Sequence, residues 1–213
     1  MASSRRISLP IILICFCELL CSAQSASTRF RWNWRKNETD DWQSVSKSKT
    51  LSPKDRAALI DALVAQFRPS VSKMSDQEVR EFVATQIRVK AVDLGGHGPT
   101  EYLALSSDHE GCSPTGNCEA WVFKQTKDGY SKILHRTATQ TFTIQPTITN
   151  GFHDLVLGQH GSATDAGLTL YRFDGAKYRR LACYDANCEY LGKDGEYHSL
   201  KEPRITPTIC SFR

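Results

Sequence analysis

The chain has 213 residues, with 27 Lys and Arg against 23 Asp and Glu, a formal net charge of +4, and 40% hydrophobic residues. That apolar content excludes an intrinsically disordered chain. A charge this small, spread along the whole length, excludes the concentrated basic face of a nucleic-acid binder. The length suits one soluble domain with an adequate core.

The first segment has three zones. Arg5 and Arg6 are followed by a nearly apolar run over residues 7–20, interrupted by Pro10 and Glu18, and then by the small residues Cys21, Ser22 and Ala23. A charged start, a short apolar core and small residues at its end are the marks of a secretory signal. A spanning helix needs about 20 apolar residues, so residues 1–23 are read as a signal peptide. Cleavage is placed after Ala23, with Ser25 as the alternative; a retained anchor is the rival reading. The remaining chain has no run of spanning length and carries 25 basic and 22 acidic residues, a net charge of +3. The protein is expected to be exported, either periplasmic or secreted.

Residues 24–50 are polar and poor in aliphatics, and within them Phe30, Trp32 and Trp34 alternate with Arg29, Arg31, Asn33 and Arg35. Alternation at a period of two predicts an edge strand whose aromatics cover the core. The same residues are candidates for an interface with a membrane surface or glycan.

Residues 51–213 are expected to form a single domain. Within it, residues 52–67 predict a helix. Ser52 can cap, Pro53 fits the first helical position, and Asp55 suits the positive end of the helix. Leu59, Ile60, Leu63, Val64 and Phe67 share one face. A second helix over residues 75–83 opens on a capping box formed by Ser75 and Glu78, with Val79, Phe82 and Val83 as its apolar side. From Gln86 the period changes to two, and Ile87, Val89 and Ala91 predict a strand.

The rest reads as strands and turns in two pseudo-repeats, about residues 91–134 and 143–181. Gly98 precedes Glu101 and an apolar strand in the first copy, as Gly151 precedes Asp154-Leu155-Val156 in the second. Trp121-Val122-Phe123-Lys124 then corresponds to Leu170-Tyr171-Arg172-Phe173, and the Asp128-Gly129 turn to Asp174-Gly175. Asp-Gly between apolar runs is a strong hairpin signal. The expected fold class is α+β: two N-terminal helices packed on an antiparallel sheet built from two pseudo-repeated hairpin units, with disulfide-stapled loops.

This spacing resembles the FG-GAP and VCBS repeats of β-propeller proteins, in which an Asp-rich calcium loop leads into an Asp-Leu-Val-type strand. The resemblance covers residues 91–181. Asp93, the glycines and Glu101 match in the first copy; Asn150, Gly151 and Asp154 match in the second. Gly95 and His97 stand where the family places oxygen ligands. Calcium takes six to eight oxygens, so no cofactor is assigned, with calcium or zinc the ions such loops would hold.

Eight cysteines become five once residues 1–23 leave. Cys112–Cys118 and Cys183–Cys188 are short, turn-rich pairs that would oxidise outside the cytoplasm, which leaves Cys210 as the odd thiol: free, paired between chains, or displacing one partner in a longer bridge. Metal binding is the rival, at spacings wider than the zinc knuckle.

Asp93, His97, His153, Asp154 and His160 occupy corresponding loops and would line one end if the copies stack, as a metal or acid–base constellation. No catalytic residue is assigned, because there is no Gly-x-Ser-x-Gly elbow, phosphate loop or fixed carboxylate pair. The leading expectation is a non-enzymatic exported domain that recognises a protein, glycan or envelope component through its loops. The alternatives are a metal-dependent hydrolase or metal-binding protein using the loop His and Asp residues, and a membrane-surface binder using Phe30, Trp32 and Trp34.

Overall fold

The computed structural model describes residues 41–67, 73–98, 100–107, 111–162 and 165–210. The expected signal peptide, residues 1–23, and the interface candidates Phe30, Trp32 and Trp34 lie outside the described residues.

A short strand β1 (Gln43–Ser44) and a 3-10 turn (Val45–Lys47) lead into helix α1 (Pro53–Phe67). Ser52 caps α1 by accepting the Asp55 backbone N–H at 3.1 Å. Helix α2 (Asp76–Gln86) opens on a complete capping box: Ser75 accepts from Glu78 N, and the Ser75 N–H donates to Glu78 Oε2 at 2.7 Å. These contacts satisfy N-terminal donors that a helix cannot satisfy internally. At Ile87 the backbone turns to φ −91° and ψ 125°, and the chain passes from α2 into β2 (Ile87–Val92) without a loop.

Two five-stranded antiparallel sheets follow. The first has the order β1-β2-β3-β4-β5, with β3 at Glu101–Ser106, β4 at Cys118–Thr126 and β5 at Gly129–Thr139. The second has the order β10-β9-β8-β7-β6. Its strands are β6 (Thr141–Thr149), β7 (Phe152–His160), β8 (Asp165–Phe173), β9 (Tyr178–Leu191) and β10 (Tyr197–Thr208). Gln140 alone separates β5 from β6, and there the chain leaves one sheet for the other.

The first sheet is buried on both faces. Tyr102, Ala104, Trp121 and Phe123 pack against Leu59, Leu63, Phe67, Phe82 and Val83 of the helices. Phe67 is the hinge of this layer, with ring centroids 5.2 Å from Trp121 and 5.3 Å from Phe82. Leu103, Ala120 and Val122 point the other way, into a second core with Phe142, Leu155, Leu157 and Phe173 of the second sheet. Burial on both faces makes β3 and β4 read as unbroken apolar runs, as sandwiched strands do.

The expected α+β class is therefore corrected. The described residues form a mostly β structure of two separate antiparallel sheets, with helices covering one face of the first sheet only. A single sheet would have left Leu103 and Val122 facing water; the second sheet removes that apolar surface, at roughly 1.5–3 kcal/mol per large side chain.

Among the described residues two disulfides are present, Cys112–Cys118 and Cys183–Cys210, and Cys188 is the free thiol. The expected Cys183–Cys188 bridge and unpaired Cys210 are corrected. Both residues of that pair lie on one continuous strand, β9. Five residues of strand span about 16 Å and end on the opposite face, far beyond the roughly 7 Å that a disulfide can join. Antiparallel β10 instead returns the chain end to Cys183, with Thr208 opposite it.

Candidate functional site

Of the five residues expected to line one end, the loop of Asp93 and His97 meets β7 at His153, beside Asp154, while His160 lies at the far end of that strand. The Asp93 carboxylate is used by its own loop, accepting backbone N–H groups from Gly96 at 2.7 Å, His97 at 3.1 Å and Gly98 at 3.0 Å. Gly96 and Gly98 have φ of 72° and 95°, which lets the backbone curl around that carboxylate. Desolvation pushes the Asp93 carboxyl up, but the N–H groups of Gly98, Gly96 and His97 and the His97 charge outweigh it and hold the carboxyl below its ordinary range. His153 sits on β7 with Nδ1 2.6 Å from the Gln145 carbonyl, and its N–H donates to the Leu94 carbonyl at 2.8 Å. His160 ends the same strand, about 23 Å away at the rise of an extended chain. Among the described residues no group of three or more His, Cys, Asp or Glu is placed to hold a metal ion.

Glu101 and Asp154, the acids that the pseudo-repeat aligns, are both buried. Glu101 accepts from the Leu94 N–H at 3.0 Å and from the Thr100 hydroxyl at 2.7 Å. Asp154 accepts from the Thr147 hydroxyl at 3.0 Å and lies 3.4 Å from Arg172 Nε. Tyr178 lies close enough to feel both acids, and its hydroxyl donates to the His153 carbonyl at 2.6 Å. Burial first, then the Glu101 and Asp154 charges, push the Tyr178 hydroxyl well above its ordinary range, so it remains a donor. This cluster ties the Leu94 loop to β7 and β9, a structural joint between the sheets.

A concavity of about 530 Å³ lies between the Cys112–Cys118 loop and Trp42. Trp42 forms one wall, its ring 5.7 Å from Phe142. Arg88, an exposed side chain of β2, and Gln140, at the crossing between sheets, supply donors. Ser106 lies at its base, buried, with a hydroxyl that has no hydrogen-bond partner among the described residues. The rim is rigid. The disulfide closes it, Ser113 N–H donates to Asn117 O at 2.7 Å, and Gly116 N–H donates to Ser113 O at 2.9 Å. Asn117 then clamps His160 of the second sheet through both backbone groups.

No carboxylate or imidazole is among the described residues lining this cavity. An indole face beside guanidinium, amide and hydroxyl donors can hold a polar ligand. Sequence reasoning missed Trp42, Arg88, Ser106 and Gln140. They come from four separate stretches, and only the register of β2 against β3 brings Arg88 beside Leu105. The one signal available was Trp42, a large aromatic in a polar segment. No known family's profile, no curated protein and no solved structure matches this chain.

No helix among the described residues is long and apolar enough to cross a membrane. Two disulfides point to an oxidising environment.

Proposed function

We propose that this chain is an exported, non-enzymatic binding domain that takes a glycan in the cavity between Trp42, Arg88 and the Cys112–Cys118 loop. The observation that carries this reading is the lining itself: an aromatic wall, convergent donors and a cross-linked rim, on the scale of a small-ligand pocket. Sugars present an apolar face to an aromatic ring and hydroxyls to surrounding donors, which matches the groups available. The test is a soluble-oligosaccharide screen by saturation-transfer NMR on the 24–213 protein. Binding should weaken by about tenfold or more in Trp42→Ala and in Arg88→Ala. Absence of saturable binding, or affinity unchanged by both substitutions, sinks the reading.

A second reading, a protein partner, rests on the β9–β10 hairpin. Strand β8 pairs with β9 only as far as Asn187, and beyond it the hairpin exposes Tyr190, Leu191 and Tyr197. Exposed aromatic side chains on a projecting hairpin are suited to protein recognition. A partner whose binding survives Tyr190→Ser and Tyr197→Ser would exclude this surface. The metal-dependent reading finds no ligand set among the described residues, and the membrane-surface reading rests on residues outside them.

A further inference from the structure

The Cys112–Cys118 loop borders two cavities. Pro114, Gly116 and Cys118 line the one beside Trp42. Gly111, Thr115 and Asn117 line a second, of about 440 Å³, together with Glu119 of β4 and Thr137 and Ala138 of β5. Trp121 and Phe123 turn toward the helices, and Glu119 continues their face of β4 by the strand's period of two. Phe67, which packs on Trp121, is the last residue of α1. Where the helix stops, a carboxylate takes the place of the aromatic rings.

The local backbone is shaped around this carboxylate. Cys118 pairs with Thr139 and Ala120 with Arg136, so two residues of β5, Thr137 and Ala138, stand opposite Glu119 alone. Such a bulge interrupts the ladder and re-aims side chains. The Glu119 N–H donates to the Gly111 carbonyl at 2.6 Å. A Cβ on Gly111 would fall 2.2 Å from Ser106 Oγ, so a glycine is what lets the loop close in here. The Glu119 carboxylate is half-buried and makes no hydrogen bond or ion pair among the described residues. Burial alone pushes its carboxyl up. A carboxylate drawn partly out of water without a counter-charge costs free energy, and a cation beside it offsets that cost. Hydroxyls of Ser113, Thr115 and Thr137 add neutral oxygens to the same cavity.

We propose that this cavity is a primary-ammonium site, in which the Glu119 carboxylate pairs with an –NH3+ group of a ligand beside the disulfide loop. An ammonium is a compact charge with three donors and no acceptor, which suits one carboxylate accompanied by hydroxyl oxygens. Calcium takes six to eight oxygens, more than one carboxylate and three hydroxyls supply. Among the described residues the two cavities share only Cys112 and Ser113. The ammonium site therefore stands whether or not the Trp42 cavity binds a glycan.

The test is an NMR titration of the 24–213 protein with methylammonium, glucosamine and glucose at constant ionic strength. Methylammonium and glucosamine should give saturable shifts at Thr115, Glu119, Thr137 and Ala138, and glucose none there. Glu119→Gln keeps the shape and removes the charge, so it should weaken binding by about tenfold or more. Glu119→Asp should retain part of the affinity, and Thr137→Val should weaken it by about two- to tenfold. Asp128→Asn removes the same charge from an exposed turn beyond the opposite end of β4, and it should change nothing. The unfolding midpoint of each variant checks that it is folded. Glucosamine binding more tightly than methylammonium would place the ammonium on a sugar; equal affinity would make the ammonium group alone the recognised element. The proposal is overturned if the wild type shows no saturable binding at these residues, or if Glu119→Gln and Asp128→Asn behave alike. It is overturned too if calcium shifts the same residues at lower concentration than methylammonium does.

Discussion

Asn117 holds His160 by its main chain, donating Nδ2 to the His160 carbonyl at 2.8 Å and accepting the His160 N–H on Oδ1 at 2.7 Å. One side-chain amide thus completes the end of β7, joins the two sheets and anchors the disulfide loop over the candidate cavity. Two part-buried hydrogen bonds disappear in Asn117→Ala, with a cost of about 1–3 kcal/mol. Urea unfolding should show this as a lower midpoint with an unchanged slope. Ligand affinity at the Trp42 cavity should fall with it, because the rim loses its tether.

Thiol counting separates the two bridges. The native 24–213 protein should show one reactive thiol, Cys188, in a titration under native conditions, and peptide mapping should recover Cys183 joined to Cys210. On chain entropy alone, the bridge spanning 27 residues contributes about 3.5 kcal/mol and the one spanning six about 2 kcal/mol. Cys210→Ser should therefore lower stability more than Cys118→Ser in denaturant unfolding.

His135 should make stability sensitive to mild acid. Its ring stacks on Trp121 at a 5.5 Å centroid distance. Burial, and next the Lys132 charge, hold its pKa below the ordinary 6.5. The unfolded chain therefore binds the proton more readily than the folded one, and stability rises with pH through this window. The contribution is complete above about 6.5, and it is lost as pH falls below that value toward the folded pKa. In His135→Phe the change in melting temperature between pH 7.5 and pH 5 should shrink.

The histidines of the expected metal site should behave differently from one another. His97 contributes its backbone N–H to Asp93, so His97→Ala should alter stability by less than about 0.5 kcal/mol. His153 bonds the Gln145 carbonyl through its ring, and His153→Ala should cost about 1–2 kcal/mol. Differential scanning fluorimetry with and without a chelator should give the same order of stabilities.

Asp154 is the buried acid most exposed to loss of its partners. Its Oδ2 serves Thr147 and Arg172, while Oδ1 has no hydrogen-bond partner among the described residues. Asp154→Ala removes a buried charge and leaves the Thr147 hydroxyl without its acceptor, a loss of about 2–4 kcal/mol. Arg172→Ala should cost less, since Arg172 is nearly half exposed while Asp154 is almost wholly buried. Chemical denaturation of both variants gives the comparison.

The local elements were readable because their causes are local. Ser75 and Glu78 lie three residues apart, and a capping box needs nothing further away. The short spacing of Cys112 and Cys118 likewise holds the pair within reach of a bridge. The division into two sheets was not readable. Gln140 carries the chain from β5 to β6 with no Gly or Pro to mark the crossing, and a period-two pattern says which side chains share a face but not which sheet that face meets. The candidate cavity was hidden for the same reason, since Trp42, Arg88, Ser106 and Gln140 share no motif.

The sequence by itself determined the helix caps, the strand periods, the turns and the set of cysteines available for oxidation, because each depends on residues within a few positions of one another. Tertiary structure alone decided that Cys183 meets Cys210, that Asp93 spends its oxygens on its own loop, and that Glu119 stands opposite Thr137 and Ala138. Those outcomes depend on which strands lie side by side and how two sheets stack. That choice is made by burying Leu103, Val122, Phe142 and Leu155 together, a free energy summed over the whole interface that no local pattern encodes.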